Sequence, residues 1–583
     1  MADKKDSTAG ESNHLQELRA SRQILEHGTP PRSEAEIRAQ FLKEDKNREA
    51  DFAGSLLVAF IIFCLVLAGI YIIRPHFPGL RFPGFVTNLK TAAGVTVGVL
   101  FFYWLFKRAS NTQLPDHKSS PVSAGRNTGR FGLWLGESTG WLSRLSHVAG
   151  MAPGQNVVLD ISDACQNIVV LGATGSGKTT RAINPMLVQL LDQDAGGLIF
   201  DIKGDYKKDV LHFAQHAGRD VTVIGVGDGN KGINLLSGLT PQVAASFLKS
   251  IVLLAGGYGM EKFWVDTAAA LCKNALGVLS FVPQYYSLEG LYLYLFNVDK
   301  RVDIEKEISA LPALDEKRKR LLDSYMAYHD LQFDKMEDKT KAGVLSTVSQ
   351  FLEPFLHPEL IDAFCSQKND SVKMEDVLNG AVYLVDLPIH TWGLGGKVVY
   401  SLIKLRFYNV MQQRNSRPSW NQNRPAFFIC DEFQEIVSAS KDGLSDLNFW
   451  DKSRSSKTIG IISGQAVSSF YSAIGNRDVA NTLLQNFRQK LCFKTEDTDT
   501  LNYFNNLAGR VEVKRVSYSN STGQGHRNYG SSYDSHSESV STVERPILDA
   551  QLFRSLHPEQ AVALLSVNGH SMDDVINVKS VYV

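Results

Sequence analysis

The chain has 583 residues, and its 61 Lys and Arg residues balance 61 Asp and Glu residues. Its content of 44% hydrophobic and 21% charged residues is typical of a folded globular protein and excludes wholesale disorder. Zero net charge argues against a protein that coats nucleic acid by bulk attraction, but it leaves room for a local basic patch. The six cysteines have no CxxC spacing, which predicts reduced, buried thiols and no zinc site.

Two apolar segments near the start predict a membrane hairpin within residues 52–108. Residues 52–73 contain no charge, and a helix of this length spans about 33 Å, enough to cross a bilayer. Residues 91–106 form a shorter apolar run that residues 85–89 extend, and a buried or interfacial helix is the alternative for it. Basic residues precede the first run and follow the second, which favours a cytoplasmic location for both termini.

Short apolar runs, separated by helical patterns, dominate the chain from residue 167 onward. Such runs are typical of strands buried on both faces, so we predict an α/β fold with a doubly wound parallel sheet. Residues 240–355 lack these runs and predict an all-α insertion, whereas residues 516–543 are rich in Ser, Gly, Tyr and Asn and predict a flexible loop. The predicted strands are residues 168–172, 197–201, 221–226, 381–388, 426–432 and 458–465, with a last strand near the end of the chain.

The sequence GATGSGKT directly follows the first of these strands and matches the phosphate-binding loop G-x-x-x-x-G-K-[ST]. Its glycines let the backbone wrap around phosphate oxygens, Lys178 adds a charge for the β- and γ-phosphates, and Thr179 can ligate Mg²⁺. A chance match in a glycine-rich turn is the alternative. The predicted nucleotide-binding residues are Gly172, Ala173, Thr174, Gly175, Ser176, Gly177, Lys178, Thr179 and Thr180.

A phosphate-binding loop needs an acidic partner at the end of a neighbouring strand. Three apolar runs end in an aspartate, namely Asp201, Asp386 and Asp431, and only Asp431 is followed by a second acid, Glu432. We predict that Asp431 holds Mg²⁺ and that Glu432 polarises the attacking water. For Asp201 and Asp386 we favour a turn at the end of the strand, although Asp201 lies too near the phosphate-binding strand to dismiss.

Three further residues are candidates for sensing or completing the nucleotide site. Gln465 ends the run beside the Asp-Glu strand and could sense the γ-phosphate, with a plain surface amide as the alternative. Arg454 and Arg488 are candidates for an arginine finger that reaches the nucleotide of a neighbouring subunit, and for each a solvated or salt-bridged arginine is an equal alternative.

Two stretches around the Asp-Glu strand are strongly basic. Residues 387–430 contain six basic residues and no acid, and residues 452–494 contain seven basic residues and one acid. A basic surface on a nucleotide-driven protein is better suited to bind a polyanionic substrate than a neutral one. Two ordinary solvated faces are the alternative.

Several segments of the sequence together resemble a known family. They are the short membrane hairpin, GATGSGKT with Pro185 soon after it, EKFWVDTAAALC, FFICDEF and a downstream SGQ strand. The sequence is similar to the coupling proteins of type IV secretion, the TraG/TraD-like conjugation ATPases. The resemblance implies a RecA-like P-loop ATPase domain with an all-α insertion. The segments expected from it are an N-terminal segment 1–51, a transmembrane hairpin 52–108, a linker with short strands 109–150, a nucleotide-binding domain in two parts 151–239 and 356–583, the insertion 240–355, and the flexible loop 516–543.

The resemblance also implies a function. It predicts a homohexameric ring on the bacterial inner membrane, in which ATP and Mg²⁺ drive transfer. The substrate would be single-stranded DNA bound by a relaxase, secreted effector proteins, or both, delivered to a type IV secretion channel. Lys178, Glu432, Gln465 and Arg454 would be catalytic, and Thr179 and Asp431 would hold the metal. A membrane-anchored translocase of double-stranded DNA and a recruitment platform with weak ATPase activity are the competing hypotheses.

Overall fold

The computed structural model describes residues 131–144, 150–368, 370–440, 443–524 and 532–583, all within a unit formed by residues 118–583. The hairpin predicted at 52–108 lies outside the described residues. Among the helices of the described part, none is long and apolar enough to cross a membrane.

Strands and helices alternate up to residue 225. They are β1 (Leu133–Ser138), β2 (Asn156–Leu159), α1 (Ile161–Ala164), β3 (Ile168–Leu171), α2 (Asn184–Asp192), β4 (Gly196–Asp201), α3 (Lys207–His216) and β5 (Val221–Gly225). Helices then follow one another: α4 (Pro241–Gly256), α5 (Lys262–Leu279), α6 (Leu288–Phe296), α7 (Val298–Ser309), α8 (Glu316–Tyr328), α9 (Asp338–Leu352) and α10 (Pro358–Phe364).

Alternation resumes after residue 381. The elements are β6 (Val382–Asp386), α11 (Ile389–Arg414), β7 (Ala426–Cys430), α12 (Asp446–Trp450), β8 (Thr458–Gly464), α13 (Val467–Ile474), α14 (Arg477–Gln485), β9 (Gln489–Cys492) and α15 (Thr498–Ala508). The last are β10 (Arg510–Gln524), β11 (Ser532–Pro546), α16 (Ala550–Ser555), β12 (Gln560–Leu564), β13 (Ser566–Val567), β14 (His570–Ser571) and β15 (Asp574–Asn577).

Eleven of the described strands form one sheet in the order β2-β1-β15-β12-β9-β3-β8-β7-β4-β6-β5. The seven strands from β9 to β5 are parallel, and the four from β2 to β12 extend the sheet in antiparallel fashion. The predicted parallel sheet is therefore confirmed for seven of these eleven strands, up to the edge strand β5. Because β8 lies between β3 and β7, the strand before the phosphate-binding loop and the strand before Asp431 are separated by one strand.

Apolar side chains cover both faces of this sheet, which explains the continuous apolar runs in the sequence. Along β3, Val169 and Leu171 pack into one core, and Ile168 and Val170 pack into a second core on the opposite face. All four residues are fully buried. The described cysteines are free and buried, as predicted.

The stretch predicted as an all-α insertion is helical, and the helices continue past residue 355 to Phe364. Its first helix is capped at the start: the Thr240 Oγ1 accepts a hydrogen bond from the Val243 N–H at 3.4 Å, and Pro241 occupies the first turn. The apolar core of these helices, with Leu271 and Phe351, is continuous with the core on one face of the sheet.

The flexible loop predicted at 516–543 is corrected by the structure. Strands β10 and β11 pair in antiparallel register from Arg510 opposite Pro546 to Gln524 opposite Ser532, and form a long two-stranded ribbon. The low aliphatic content led to the wrong expectation, because the ribbon is held by backbone pairing between its two strands, which composition does not report.

Candidate functional site

The predicted phosphate-binding loop follows β3 at the carboxyl edge of the parallel strands. A side chain at Gly172 would bring its Cβ within 2.7 Å of the Ser176 Oγ and 2.8 Å of the Phe493 Cβ, so only glycine fits there. Gly175 has a φ of +75° with nothing within 4 Å of a built Cβ, a conformation that glycine adopts without strain. The loop is therefore a tight turn whose Gly175 face is open.

Lys178 is held inside this turn. Its Nζ donates hydrogen bonds to the carbonyl oxygens of Gly172 at 2.8 Å and Ala173 at 3.3 Å, and the residue is only 7% exposed. Burial lowers the pKa of the Lys178 ammonium, and the nearby charges of Asp431 and Glu432 oppose that shift. After Lys178 the backbone makes a wide helical turn over Thr179–Ile183 before α2 begins.

The two predicted carboxylates meet this loop from the end of β7. The Thr179 Oγ1 donates a hydrogen bond to the Asp431 Oδ2 at 3.2 Å, and the Ser463 hydroxyl at the end of β8 donates to the Asp431 Oδ1. Glu432 is buried and adopts a left-handed backbone conformation with φ of 53°. Such a conformation is strained for a residue with a Cβ and is common at functional sites.

Both carboxylate oxygens of Glu432 are engaged. The Lys203 Nζ lies 2.8 Å from the Glu432 Oε1 and 3.6 Å from the Asp431 Oδ2, and the Gln434 Nε2 donates a hydrogen bond to the Glu432 Oε2 at 2.7 Å. Sequence reasoning missed Lys203, Gln434 and Ser463. The available signal for Lys203 was its place two residues after the end of β4, the strand that pairs with β7.

Asp201 stabilises a turn, as favoured from the sequence, whereas Asp386 forms an ion pair. The buried Asp201 carboxylate accepts hydrogen bonds from the backbone N–H groups of Gly204, Tyr206 and Lys207 at 2.7 to 2.9 Å. Asp386 pairs with the Lys207 ammonium at 3.0 Å.

Gln465 and Arg454 lie at opposite ends of β8. Gln465 is exposed and directly follows β8 at the carboxyl edge, between the ends of β3 and β7. Arg454 lies in the turn Ser453–Ser456 before β8 and donates a hydrogen bond to the Ser162 Oγ at 2.6 Å. Seven residues of strand, about 23 Å, therefore separate Arg454 from the phosphate-binding edge of its own chain. Arg488, exposed just before β9, also lies at the amino edge.

The residues present fit a nucleotide with Mg²⁺. The Ser176 Oγ and the Arg181 Nε are buried and have no hydrogen-bond partner within the described part of the chain, so donors are available to phosphate oxygens beside the open face of the loop. Thr179 and Asp431 present adjacent oxygens, which are the ligands that Mg²⁺ prefers. A metal held there would neutralise phosphate charge, and Glu432 would accept a proton from water.

The first basic stretch is mainly structural. Lys404 and Arg414 are fully buried: Lys404 pairs with Asp446 at 2.8 Å, and Arg414 donates to three backbone carbonyl oxygens at 2.7 Å each. Lys397 and Arg424 form ion pairs, and Arg406 donates to the Asn234 carbonyl oxygen. The predicted basic surface over 387–430 is therefore wrong for most of its residues.

Comparisons with known proteins agree with the motifs. A family model for the TraM recognition site of TraD and TraG matches residues 425–558, and a model for the central domain of helicase HerA matches residues 145–251. A comparison with curated protein sequences finds no significant match.

Solved structures of one coupling protein share the fold. The bacterial conjugative coupling protein TrwBdeltaN70 in its unbound form matches with a TM-score of 0.53 at 16% identity, covering 79% of this chain and 97% of that one. The plasmid coupling protein TrwB in complex with ADP and Mg²⁺ matches with a TM-score of 0.51 at 15% identity, covering 79% and 96%. The chain thus has the RecA-like α/β fold of a P-loop protein, and it is similar to the TraG/TraD-like coupling proteins, as its sequence motifs predict.

Proposed function

We propose that this chain is an inner-membrane ATPase that recruits a substrate and couples it to a type IV secretion channel. The observation that carries the proposal is the convergence of the loop at 172–179 with Asp431 and Glu432, joined by the 3.2 Å hydrogen bond between Thr179 and Asp431. In this proposal Lys178 and the loop backbone bind the ATP phosphates, Thr179 and Asp431 hold Mg²⁺, and Glu432 activates water.

A transfer assay with two variants tests the motor. Lys178→Ala should abolish nucleotide binding, and Glu432→Gln should preserve binding but abolish hydrolysis. In donor cells both should reduce transfer to background at wild-type protein levels. Lys317→Ala, which removes an exposed lysine on α8, is the matched control and should transfer normally. Normal transfer by either site variant would overturn the motor and favour a recruitment platform.

The substrate is proposed to be relaxase-bound single-stranded DNA, effector proteins, or both. The similarity to TraG/TraD-like and TrwB coupling proteins supports this class. ATPase stimulation by single-stranded DNA, compared with double-stranded DNA of equal length, tests the preference. Stimulation by the duplex alone would favour the competing double-stranded DNA translocase. Crosslinking of residues 240–355 in cells asks whether a relaxase or an effector is recruited there.

The proposed assembly is a homohexameric ring with the nucleotide site completed between subunits. The position of Arg454 at the amino edge supports an action in trans, because it cannot reach the phosphate-binding edge of its own chain. Head-to-tail interfaces of a closed ring would bring unlike edges together. Mixing Arg454→Ala with Lys178→Ala subunits should restore some ATPase activity through wild-type composite sites, whereas Lys452→Ala alone should be neutral. If mixing restored no ATPase activity, the role of Arg454 as an arginine finger in trans would be contradicted.

The hairpin at 52–108 is proposed to anchor the chain with both termini in the cytoplasm. Its uncharged run and the flanking basic residues support this topology. Membrane fractionation, combined with labelling of cysteines introduced at residues 78 and 120, tests this topology. Only the first position should be labelled from the periplasmic side.

A further inference from the structure

Lys203 approaches the two carboxylates from the side opposite to the phosphate-binding loop. It follows β4, and β4 pairs with β7 on the side away from β8. Its Nζ lies 2.8 Å from the Glu432 Oε1 and 3.6 Å from the Asp431 Oδ2. Lys178, in contrast, donates its hydrogen bonds to carbonyl oxygens of its own loop. Among the residues that the structure describes, Lys203 is therefore the direct cationic partner of both acids.

The exposure of the three side chains differs. The Lys203 side chain is 48% exposed, whereas those of Asp431 and Glu432 are 19% and 7% exposed. Two adjacent carboxylates with little access to water repel one another and need a counter-ion. A lysine on a flexible four-carbon stem supplies one and can swing into water at low cost.

We propose that Lys203 is the built-in counter-ion of the Asp431–Glu432 pair and competes with the divalent cation for these carboxylates, so that it raises the Mg²⁺ concentration needed for nucleotide binding. This inference rests on the proposed nucleotide site. Lys203 has to give up Asp431 before that carboxylate can ligate a metal.

Lys203 is also a positioning residue for Glu432. The Gln434 amide holds the Oε2 of this carboxylate, and Lys203 holds its Oε1. When Lys203 swings away, the Oε1 is freed to accept a proton from water, while Gln434 keeps the carboxylate in place. Gln434 is thus the fixed donor to Glu432, and Lys203 is the donor that can be released.

The test measures how nucleotide binding by the purified full-length chain depends on Mg²⁺. A fluorescent ADP analogue is titrated at increasing MgCl₂ with the wild type, Lys203→Met and Lys203→Arg. For Lys203→Met the half-saturating Mg²⁺ concentration should fall about two- to fivefold, the range expected from a partly exposed ion pair. Affinity at saturating Mg²⁺ should not change. Lys203→Arg, which keeps the charge, should stay close to the wild type.

Two controls locate the effect. Lys208→Met removes an exposed lysine from the adjacent helix, so it changes the net charge equally and should leave the Mg²⁺ dependence unchanged. In a Glu432→Gln background the Lys203→Met change should have a smaller effect, because one of the two competing carboxylates is gone.

Three results would overturn the inference. An unchanged Mg²⁺ requirement in Lys203→Met would exclude competition. Weaker nucleotide binding at saturating Mg²⁺ would instead make Lys203 a phosphate ligand. An equal shift with Lys208→Met would reduce the effect to net charge. A wild-type chain that binds no nucleotide at any Mg²⁺ concentration would fail at the earlier step and refute the proposed function itself.

Discussion

Lys490 offers a measurement of what burial does to a charge beside the phosphate-binding strand. It lies in β9 opposite Val169 of β3 and is only 6% exposed. Its Nζ donates a hydrogen bond to the Phe487 carbonyl oxygen at 2.7 Å. Burial lowers the pKa of Lys490 from 10.5 to about 8, and the charge of Arg488 acts in the same direction. We predict that Lys490→Met stabilises the protein at pH 7.

The magnitude follows from proton linkage. A pKa difference between 10.5 and about 8 corresponds to about 3 kcal/mol. Below pH 8 the lysine is charged in both the folded and the unfolded state, and folding carries the full cost of the buried ammonium. Between about pH 8 and 10.5 the unfolded state binds the extra proton, so stability rises with pH in this window. Above about pH 10.5 the lysine is neutral in both states, and the cost of burying the ammonium is gone.

The assay is denaturant unfolding of the full-length wild type and Lys490→Met at pH 7 and pH 10. Tryptophan fluorescence can follow this region, because the Trp450 ring lies 5.3 Å from that of Phe487. The advantage of the Met variant should shrink by about 2 to 3 kcal/mol at the higher pH. Lys490→Arg is the control, because its guanidinium stays charged and should gain nothing. An equal Met advantage at both pH values would refute the reasoning.

Three further substitutions probe the site and its supports. Lys404→Met should cost about 3–5 kcal/mol of unfolding free energy by leaving the buried Asp446 charge unpaired, and adding Asp446→Asn should recover part of this loss in the same unfolding assay. Gly172→Ala should weaken binding of a fluorescent ADP at least about tenfold, because its Cβ would meet the Ser176 Oγ at 2.7 Å; unchanged affinity would contradict the tight turn. Arg414→Met should destabilise the protein by about 3 kcal/mol yet leave the salt dependence of DNA binding unaltered, and a shallower slope would show that Arg414 faces phosphate.

The central sheet could be predicted from the sequence because its strands are buried on both faces. A run such as IVVL has no polar face, which is typical of a buried strand, and the turn that follows it marks where the strand ends. The loop at 172–179 and the pair Asp431–Glu432 were also predictable. Parallel strands bring their carboxyl ends to one edge, so two motifs 252 residues apart meet at 3.2 Å.

What could not be predicted depends on side-chain direction and on strand order. Lys203 contacts Glu432 only because β4 pairs with β7, and no local pattern gives that pairing. The ribbon of β10 and β11 was missed because its stability comes from pairing between distant residues, which composition does not report. The four antiparallel strands that extend the sheet are short and join residues 133–159 to residues 560–577.

The basic residues around the Asp-Glu strand show why counting charges along a sequence overestimates the charge of the protein surface. In the first basic stretch the buried Lys404 and Arg414 donate to backbone and side-chain acceptors on both sides of β7, so their charges stabilise these segments and do not face solvent. In the second stretch, Arg454, Arg488 and Lys494 are exposed. Long-range attraction of a polyanion depends on exposed charge. A nucleic-acid contact in this part of the chain is therefore expected mainly from the second stretch, where Arg454 and Arg488 lie at the amino edge of the sheet and not beside the carboxylates.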